Sequence, residues 1–559
     1  MPLKDSGVAN TALSAAGMSW RVSRRVDVGP EHLQPLDDVE VGPGPMSPAR
    51  REIGSLMMGT KLTMSEYLTA WLAVFLFTLA TILSFMGNVL LSYFNQQISQ
   101  DIGMTDAQYG MLTGYAYYLL LSVAMVIQGY VIDKYSLNRM YVVGFGGVLG
   151  AAGLLMQGFA KDFNMMLVGM LVSALGSSVF QILPIPILSD VLPPEQLSFG
   201  GAIATCGGYA AWLVAGNLAD LCLKKGISWH WAVVGLSAGC GVSSLAILAF
   251  LREPPVGRFI VKKEGKDRPQ KPAFSIKQVV LYMVSMSSMW ILTIATGLRN
   301  IPEDWSGAYM PSYYSAEYPD QKTVFTAMSI IISLGGLSAS FIYGAVCQRY
   351  YTQLPTISLY TTAIGALIAA GCLAMSVTSH LIAGNDSDKG YAIAMTGLAL
   401  LVLFGEGWQG PLSVMVTLAL PPEIKSFAVS LFFALAQLIG PSGTVLYGIY
   451  LTAGGWVKGT PEYIAPARIY MLVCMMGGYI SSAALYFAAI PAIKHDIAKR
   501  EAVVRAGGLP QITLHRWRKI TFIAGTALLS TAIAILILIS LMFSYDPNMI
   551  MHPHVHHLG

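Results

Sequence analysis

The feature that most constrains this chain is the uncharged apolar run from Gln108 to Ile132. About 25 residues at 1.5 Å rise per residue extend roughly 37 Å, which exceeds the roughly 30 Å hydrocarbon core of a bilayer. A short charged stretch follows with Asp133, Lys134 and Arg139, and the next residues are again apolar as far as about Ala160. We therefore predict two transmembrane helices joined by a tight hairpin on one membrane face.

Similar windows recur along the chain and give twelve predicted spans. The overall composition, with 54% hydrophobic and 11% charged residues, also differs strongly from that of soluble proteins. The predicted spans are residues 67–93, 108–132, 140–160, 164–188, 198–221, 231–251, 276–298, 324–347, 356–378, 390–419, 426–452 and 467–493. A thirteenth apolar window covers residues 520–545.

The distribution of Lys and Arg predicts the orientation of the chain. With the N-terminus inside, 26 of the 34 basic residues fall on the inner side and eight on the outer side. The positive-inside rule then places the N-terminus and the basic loops in the cytoplasm. We call the predicted cytoplasmic end of the helices the inner end and the opposite end the outer end.

Two short repeats indicate that the chain is built from duplicated halves. Leu192–Phe199 reads LPPEQLSF and Leu420–Phe427 reads LPPEIKSF, after spans 4 and 10. Gly129–Tyr135 reads GYVIDKY and Gly344–Tyr350 reads GAVCQRY, after spans 2 and 8. Matches at equivalent positions of two six-span units are typical of transporters with internal repeats.

These patterns together predict an all-α membrane protein with seven segments. They are a disordered cytoplasmic tail (1–65), an N-terminal six-helix bundle (66–251), a basic cytoplasmic linker (252–275), a C-terminal six-helix bundle (276–493), a basic cytoplasmic segment (494–519), an extra transmembrane helix (520–545) and an extracytoplasmic tail (546–559).

The hairpin after span 2 resembles the loop between the second and third helices of the major facilitator superfamily. Gly129, Asp133, Lys134 and Arg139 match that pattern, whereas Leu137 and Asn138 stand where the family often has glycine and a base. The resemblance implies two six-helix bundles that work by alternating access.

A gating role follows from that resemblance for the charges near the hairpin. Asp190 ends span 4 on the same predicted face as Asp133 and Arg139. We predict that these three residues form a cytoplasmic charge cluster that locks the outward-facing state. The resemblance further implies that Asp133 faces the start of span 11, near Ser426.

A narrower resemblance is to the spinster branch of this superfamily. It rests on WHWA at Trp229–Ala232, REPPVGR at Arg252–Arg258 and FGEGW with LPPEIKS within Phe404–Ser426. That branch is associated with export of lysosphingolipids and lysophospholipids. The membrane charges of spinster-like proteins are replaced here by Gly87 and Asn88 in span 1 and by Met170 and Ser177 in span 4.

Glu406 is the main candidate for a functional group inside the membrane. It lies in span 10 among Gly405, Gly407 and Gly410, which permit close packing or local unwinding. We expect Glu406 to be the only acidic residue well inside a span, with no basic residue at comparable depth. Burial then disfavours the charged carboxylate, so the group could take up and release a proton. The alternative is a permanently protonated Glu406 that bonds to a neighbouring helix.

Other polar residues within the spans are weaker candidates for substrate contacts. Each has the alternative of an ordinary interhelical hydrogen bond. They are Asn88, Gln181, Tyr209 and Gln409, with Gln128, Asn217 and Gln437 as residues expected mainly to bond between helices.

The function predicted from these features is secondary active or facilitative transport. The predicted substrate is a lysolipid or another small organic solute. Protons are candidate coupling ions, and membrane lipids surround the protein. The chain has no Walker pattern, no assembled catalytic or metal-binding set and six singly scattered cysteines, so we predict no enzyme activity, cofactor, metal or nucleic-acid partner. The predicted location is the plasma membrane or an endolysosomal membrane. The alternative function is a non-transporting receptor or scaffold with a transporter fold.

Overall fold

The computed structural model describes most of the apolar part of the chain. The described residues are 64–135, 137–192, 203, 206–254, 276–350, 353–384, 386–420, 425–456, 458, 460–505 and 530–539. Within them the regular structure is entirely helical, so the prediction of an all-α membrane protein is confirmed.

Six spans make up the N-terminal half, which is our name for the described helices between residues 64 and 250. Span 2 contains a π-helical turn, and span 4 breaks before Pro184. The helices are Met64–Tyr93 in span 1, Asn95–Ile102 after it, Asp106–Met111, Leu112–Ala116 and Tyr117–Tyr135 in span 2, Arg139–Gly158 in span 3, Phe163–Ile182 and Pro184–Val191 in span 4, Gly207–Lys225 in span 5 and Trp229–Phe250 in span 6.

The remaining spans make up the C-terminal half, our name for the described helices between residues 276 and 505. The helices are Ile276–Ser285 and Ser287–Glu317 in span 7, Val324–Tyr350 in span 8, Ile357–Val377 in span 9, Ser379–Ala383 after it, Ser387–Gly405, Glu406–Trp408 and Gln409–Ala419 in span 10, Lys425–Gln437 and Ser442–Gly454 in span 11, and Pro461–Tyr470, Met471–Met475 and Met476–Arg505 in span 12.

Ten of the described helices are long and apolar enough to cross a membrane, and the bent pair in span 7 raises the number to 11. Span 5 has a 19-residue helix that ends with Lys224 and Lys225 and is less apolar. Of the predicted thirteenth span, only the helix Ser530–Ile539 is described. The terminal tails and most of the 252–275 linker lie outside the described residues.

Side chains at the helix starts explain where several spans begin. Thr105 and Gln108 form a capping box at the start of span 2. The Asn138 side chain accepts hydrogen bonds from the backbone N–H groups of Met140 and Tyr141, at 3.0 and 3.2 Å. Asn138 departs from the family pattern at this position, and the structure gives it the role of the N-cap of span 3.

Glycines bring spans 3 and 4 into close contact. A Cβ added at Gly176 would lie 2.1 Å from the backbone nitrogen of Gly150, and one added at Gly153 would lie 2.3 Å from that of Ser173. Both positions exclude any larger residue unless the helices separate. The small-residue run of span 3 is therefore a packing seam, as membrane helices with closely spaced small residues often form.

Span 7 differs from its predicted bounds. The chain bends by 88° between Ser285 and Ser287 and then continues as one helix to Glu317, far beyond the predicted end at residue 298. The prediction stopped there because Arg299, Glu303 and Asp304 end the apolar window. The helix continues because these side chains meet each other and other polar groups inside the protein, which makes their burial tolerable.

Candidate functional site: a charged cluster inside the protein and a seal at its outer end

A group of charged and amide side chains lies halfway along span 7, and we call it the central cluster. It consists of Arg299, Glu303 and Asp304 from span 7, Glu406 from span 10 and Gln437 from span 11. At 1.5 Å per residue, Arg299 lies about 18 Å along the helix from its start at Ser287 and about 27 Å from its end at Glu317. The cluster is thus far from both ends of the helix.

The Arg299 guanidinium contacts two carboxylates, a backbone carbonyl and two aromatic rings. Its Nη1 lies 3.5 Å from Glu303 Oε2 and its Nη2 lies 3.9 Å from Glu406 Oε1. The same Nη2 donates a hydrogen bond to the carbonyl of Gly405. The guanidinium carbon is 4.8 Å from the ring centre of Tyr479 and 5.4 Å from that of Trp408, within cation–π range. The buried cation is therefore compensated by carboxylates, a backbone dipole and two aromatic rings.

The chain around Glu406 leaves the α-helical conformation. Residues Glu406–Trp408 form a 3₁₀ turn in the middle of span 10. Arg299 binds the Gly405 carbonyl next to this turn, and the Tyr343 hydroxyl donates to the Phe404 carbonyl at 2.6 Å. A Cβ added at Gly407 would lie 2.3 Å from the Tyr343 ring. The glycines thus serve both local unwinding and close packing, and the carbonyls beside the break have partners as a membrane interior requires.

Asp304 links three helices. The Gln437 side chain donates to the Asp304 carboxylate at 3.4 Å and accepts from the Asn300 amide at 3.2 Å. Asp304 also interacts electrostatically with Tyr118 of span 2. Gln437, expected to bond between helices, does so here. Through Tyr118, this part of the cluster reaches the N-terminal half.

Two expectations about Glu406 are wrong. A basic residue, Arg299, does lie beside it, and Glu303 and Asp304 are further acidic residues inside a span. The apolar window ended before these three residues and assigned them to an outer loop. The signal in the sequence was the i, i+4 spacing of Arg299 and Glu303 on a helical stretch, which is the spacing of an ion pair on one helix face.

The positions that carry charges in spinster-like proteins form a neutral polar contact here. Tyr117 of span 2 interacts with Asn88 of span 1 and with Ser177 of span 4. The candidate Asn88 therefore takes part in a polar contact between helices.

The other predicted polar candidates occupy different environments. Tyr209 of span 5 bonds to Ser340 of span 8 and lies within electrostatic range of Glu406. The side chains of Gln181 and Gln409 are exposed. Among the described hydrogen bonds, none connects either of these two side chains to the central cluster.

A second charged group lies at the inner end of the N-terminal half. Arg139 Nη1 is 2.8 Å from Asp190 Oδ2, and Arg139 Nε is 2.9 Å from Glu253 Oε1. The Arg139 backbone N–H also donates to Glu253 at 2.9 Å. The group ties the start of span 3 to the ends of spans 4 and 6, and Glu253 was not anticipated from the sequence.

The rest of the predicted gating motif can be placed only in part. Gly129 lies on the span 2 helix, and a Cβ added there would have open space around it. The side chains of Asp133 and Lys134 lie outside the described residues, as does that of Ser426. The predicted contact between Asp133 and span 11 stays a prediction.

The two halves meet at the outer end through Lys458, which lies between spans 11 and 12. Its ammonium is 2.6 Å from Asp106 Oδ1, 2.6 Å from Asn95 Oδ1 and 3.4 Å from Ser99 Oγ. It also lies 4.3 Å from the ring centre of Tyr109. Burial lowers the pKa of Lys458, whereas the adjacent Asp106 carboxylate favours the charged form. Because the Asp106 carboxylate lies at ion-pair distance and the Asn95 and Ser99 oxygens accept hydrogen bonds from the ammonium, we assign Lys458 as protonated.

Further hydrogen bonds connect the halves around this lysine, and we call the whole contact the outer seal. The Tyr109 hydroxyl donates to the Ala308 carbonyl at 3.2 Å, and the Tyr309 hydroxyl donates to the Asp106 carbonyl at 3.3 Å. The Ala107 N–H donates to Thr452 Oγ1 at 3.0 Å. The outer seal thus joins the beginning of span 2 to spans 7 and 11.

Glycines permit the close approach of spans 2 and 11 at the outer seal. A Cβ added at Gly448 would lie 2.3 Å from the Asp106 carbonyl oxygen. A Cβ added at Gly110 would lie 2.6 Å from the Thr444 carbonyl oxygen. The backbones are therefore nearly in contact, and the structure is closed at this end.

The architecture and the sequence together define the family. Residues 77–444 match the family model of the Major Facilitator Superfamily, which is about two thirds of the chain. The chain belongs to the Major Facilitator Superfamily. It is an integral multi-pass membrane protein of a transporter family.

Known proteins with similar sequence or fold agree with this assignment. The riboflavin transporter RibZ of Clostridioides difficile (strain 630) is 18% identical over 427 residues, covering 68% of this chain and 88% of that protein. A bacterial homologue of the human lysosomal transporter Spinster, in an inward-facing and unoccupied conformation, has a TM-score of 0.63 at 15% identity, covering 78% of this chain and 99% of that one. A D-xylose–proton symporter has a TM-score of 0.58 at 11% identity, covering 75% and 98%. At these identities the structural matches establish the fold alone.

Proposed function

We propose that this protein is a proton-linked secondary transporter of a small organic solute. In this mechanism the two halves rock about the central cluster, so that the cluster is exposed to each side of the membrane in turn. The observation that carries the proposal is the position of the central cluster, which belongs to the C-terminal half, interacts with Tyr118 of the N-terminal half and lies well below the outer seal.

The outer seal supports one state of this cycle. Lys458, Asp106, Tyr109 and Tyr309 hold the halves together at the outer end. Such contacts favour a state that is closed to the outside. The fold similarity to an inward-facing Spinster homologue is in keeping with this interpretation.

Glu406 is our candidate for the proton-linked group. Its carboxylate is partly accessible and is 3.9 Å from Nη2 of Arg299, and the carboxylate of Glu303 is 3.5 Å from Nη1 of the same guanidinium. One guanidinium cannot neutralise both carboxylates, so a proton has a place at this site. Alternating exposure would let Glu406 bind the proton from one side and release it to the other.

The charged group at the inner end is our candidate for the second gate. Arg139, Asp190 and Glu253 position the start of span 3, directly after the hairpin that carries Asp133. We propose that this charged group orients Asp133 toward span 11 when the inner end closes. The outward-facing state would then be the one that depends on these charges.

The substrate class proposed from the family resemblance is a lysolipid or another small organic solute. The relatives named above are described as transporters of riboflavin and D-xylose and as a homologue of the lysosomal transporter Spinster. This range limits the inference to small organic molecules. The competing function is a receptor or scaffold that binds a solute but does not move it.

Uptake into sealed vesicles containing the purified protein separates these functions. Lipids, amino acids, sugars and cations are screened with and without an imposed pH gradient, and a receptor would bind a solute without accumulating it. Glu406→Gln should abolish pH-driven accumulation but retain exchange of substrate across the membrane. Glu462→Gln is the matched control, because it makes the same chemical change at an exposed position at the start of span 12. Unchanged pH dependence in a folded Glu406→Gln protein would remove Glu406 from the coupling role.

A further inference from the structure

The central cluster contains more acidic groups than basic ones. Glu303, Asp304 and Glu406 contribute three carboxyl groups, whereas Arg299 contributes one guanidinium. Asp304 already has Gln437 and Tyr118 as partners. The remaining question is which of these charges a bound solute would meet.

The accessible groups of the central cluster are acidic, whereas its basic group is buried. The Arg299 side chain is 1% exposed, whereas that of Glu303 is 39% exposed and that of Glu406 is 23% exposed. The Arg299 hydrogen bond to the Gly405 carbonyl and its two ring contacts lie within the C-terminal half. A solute that enters this region therefore meets carboxylates and does not reach the guanidinium.

Aromatic rings from the N-terminal half complete this environment. Tyr209 lies within electrostatic range of both Glu406 and Glu303, and Tyr118 within range of Glu303. Tyr209 also packs tightly against span 8, since a Cβ added at Gly336 would lie 2.1 Å from its ring. Carboxylates combined with aromatic rings are the chemistry that binds organic ammonium groups. Because the rings and the carboxylates come from different halves, a cation between them would contact both halves.

We propose that the solute carried by this protein is positively charged and that it exchanges with a proton at Glu406. The inference rests on the proposed function and specifies its substrate class. The Glu406 carboxyl group holds either a proton or the cationic group of the solute, so binding of the solute releases a proton. A proton gradient then drives the solute in the direction opposite to the protons. An anionic solute is disfavoured, because the carboxylates repel it whenever they are deprotonated.

Proton release provides a test that does not require transport. Purified protein in weakly buffered detergent solution at mildly acidic pH is mixed with choline, tetraethylammonium or spermidine, and the pH change is recorded. At least one of these cations should release protons. Glycine betaine, which has the trimethylammonium group of choline plus a carboxylate, should release at least tenfold fewer at the same concentration. Glu406→Gln should reduce the release at least twofold, whereas Glu462→Gln should not.

Transport assays distinguish a wrong substrate class from a wrong function. In vesicles, uptake of the active cation should rise at least fivefold when the proton concentration is higher inside the vesicles than outside. Excess protons outside the vesicles should inhibit this uptake. Proton-driven uptake of neutral or anionic solutes without cation-induced proton release would overturn the inference and leave the proposed function standing. Failure of every screened solute to cross the membrane would overturn both.

Discussion

Lys458→Met tests whether the outer seal controls the balance between the conformations. Methionine keeps most of the apolar length of the lysine side chain and removes its charge. In the sealed state the Lys458 side chain is 5% exposed and that of Asp106 is 11% exposed. The substitution therefore leaves the Asp106 carboxylate buried without a cation, while Asn95 loses a hydrogen-bond donor.

The size of the effect follows from this burial. Removing one partner of a buried ion pair costs about 3 to 5 kcal/mol, because the other charge stays desolvated. When the outer end opens, water reaches Asp106 and most of this cost disappears. The substitution thus destabilises the sealed state relative to the open one. At the lower value of about 3 kcal/mol, the ratio of sealed to open molecules falls roughly 100-fold.

The populations can be measured as a distance between spin labels at the outer end. Lys161 in the N-terminal half and Lys322 in the C-terminal half are exposed and can be changed to cysteine in a protein whose six native cysteines are alanine. Lys458→Met should shift the distance distribution toward longer values. Lys389→Met is the matched control, since Lys389 is paired with Asp386 at 3.0 Å but is 75% exposed, and exposed pairs contribute little.

An unchanged distance distribution in Lys458→Met would refute this reasoning. It would mean that the Tyr109 and Tyr309 hydrogen bonds and the backbone contacts close the outer end by themselves. Asp106→Asn provides an independent check, because it neutralises the acidic partner instead of the basic one. A shift in Lys458→Met but not in Asp106→Asn would assign the effect to the loss of the Asn95 and Ser99 hydrogen bonds.

Three further predictions concern folding and the central cluster. Arg299→Met should destabilise the protein by about 3 to 5 kcal/mol, because it leaves buried carboxylates without their cation. Stability should partly return as the pH falls and carboxyl groups near Arg299 become protonated. Thermal unfolding in detergent, measured against pH, checks this, and a pH-independent loss would contradict it. Asn138→Ala should cost about 1 kcal/mol through loss of the span 3 cap, seen as a lower thermal midpoint. Gly176→Val should disrupt the packing of spans 3 and 4 and abolish stable expression. Gly235→Val should be tolerated, because there is open space at its Cβ position. Equal expression of both variants would argue against a packing seam between spans 3 and 4.

The sequence indicated most of the membrane architecture because hydropathy is a property of contiguous residues. Each apolar window of spans 1 to 6 and 8 to 12 contains helix in the described residues. The bounds differ most in span 5, whose described helix begins at Gly207, and in span 12, whose helices run from Pro461 to Arg505. The charged interruption after span 2 was also visible, and Asn138 at its end caps the next helix. The family followed from these same local features, and the family model that matches residues 77–444 agrees with it.

The sequence was insufficient to predict the bounds of span 7, which contains charged residues. Arg299, Glu303 and Asp304 ended the apolar window of span 7, although the helix continues for another 18 residues to Glu317. A window average treats every charge as exposed. It cannot detect that these side chains find partners on spans 10 and 11, which are more than 100 residues away in the chain.

Glu406 itself was found from its position in span 10, but its environment was decided only by the tertiary structure. Its cation, Arg299, lies on span 7, and the carbonyl that the same cation binds belongs to the residue before Glu406. The Lys458 to Asp106 pair likewise joins residues from opposite halves of the chain. Which helix faces meet depends on how the spans pack together, and a charge in a membrane is stable only where packing supplies its partner. The sequence by itself therefore determined where the chain crosses the membrane, and the packing of distant spans determined which of its charges act together.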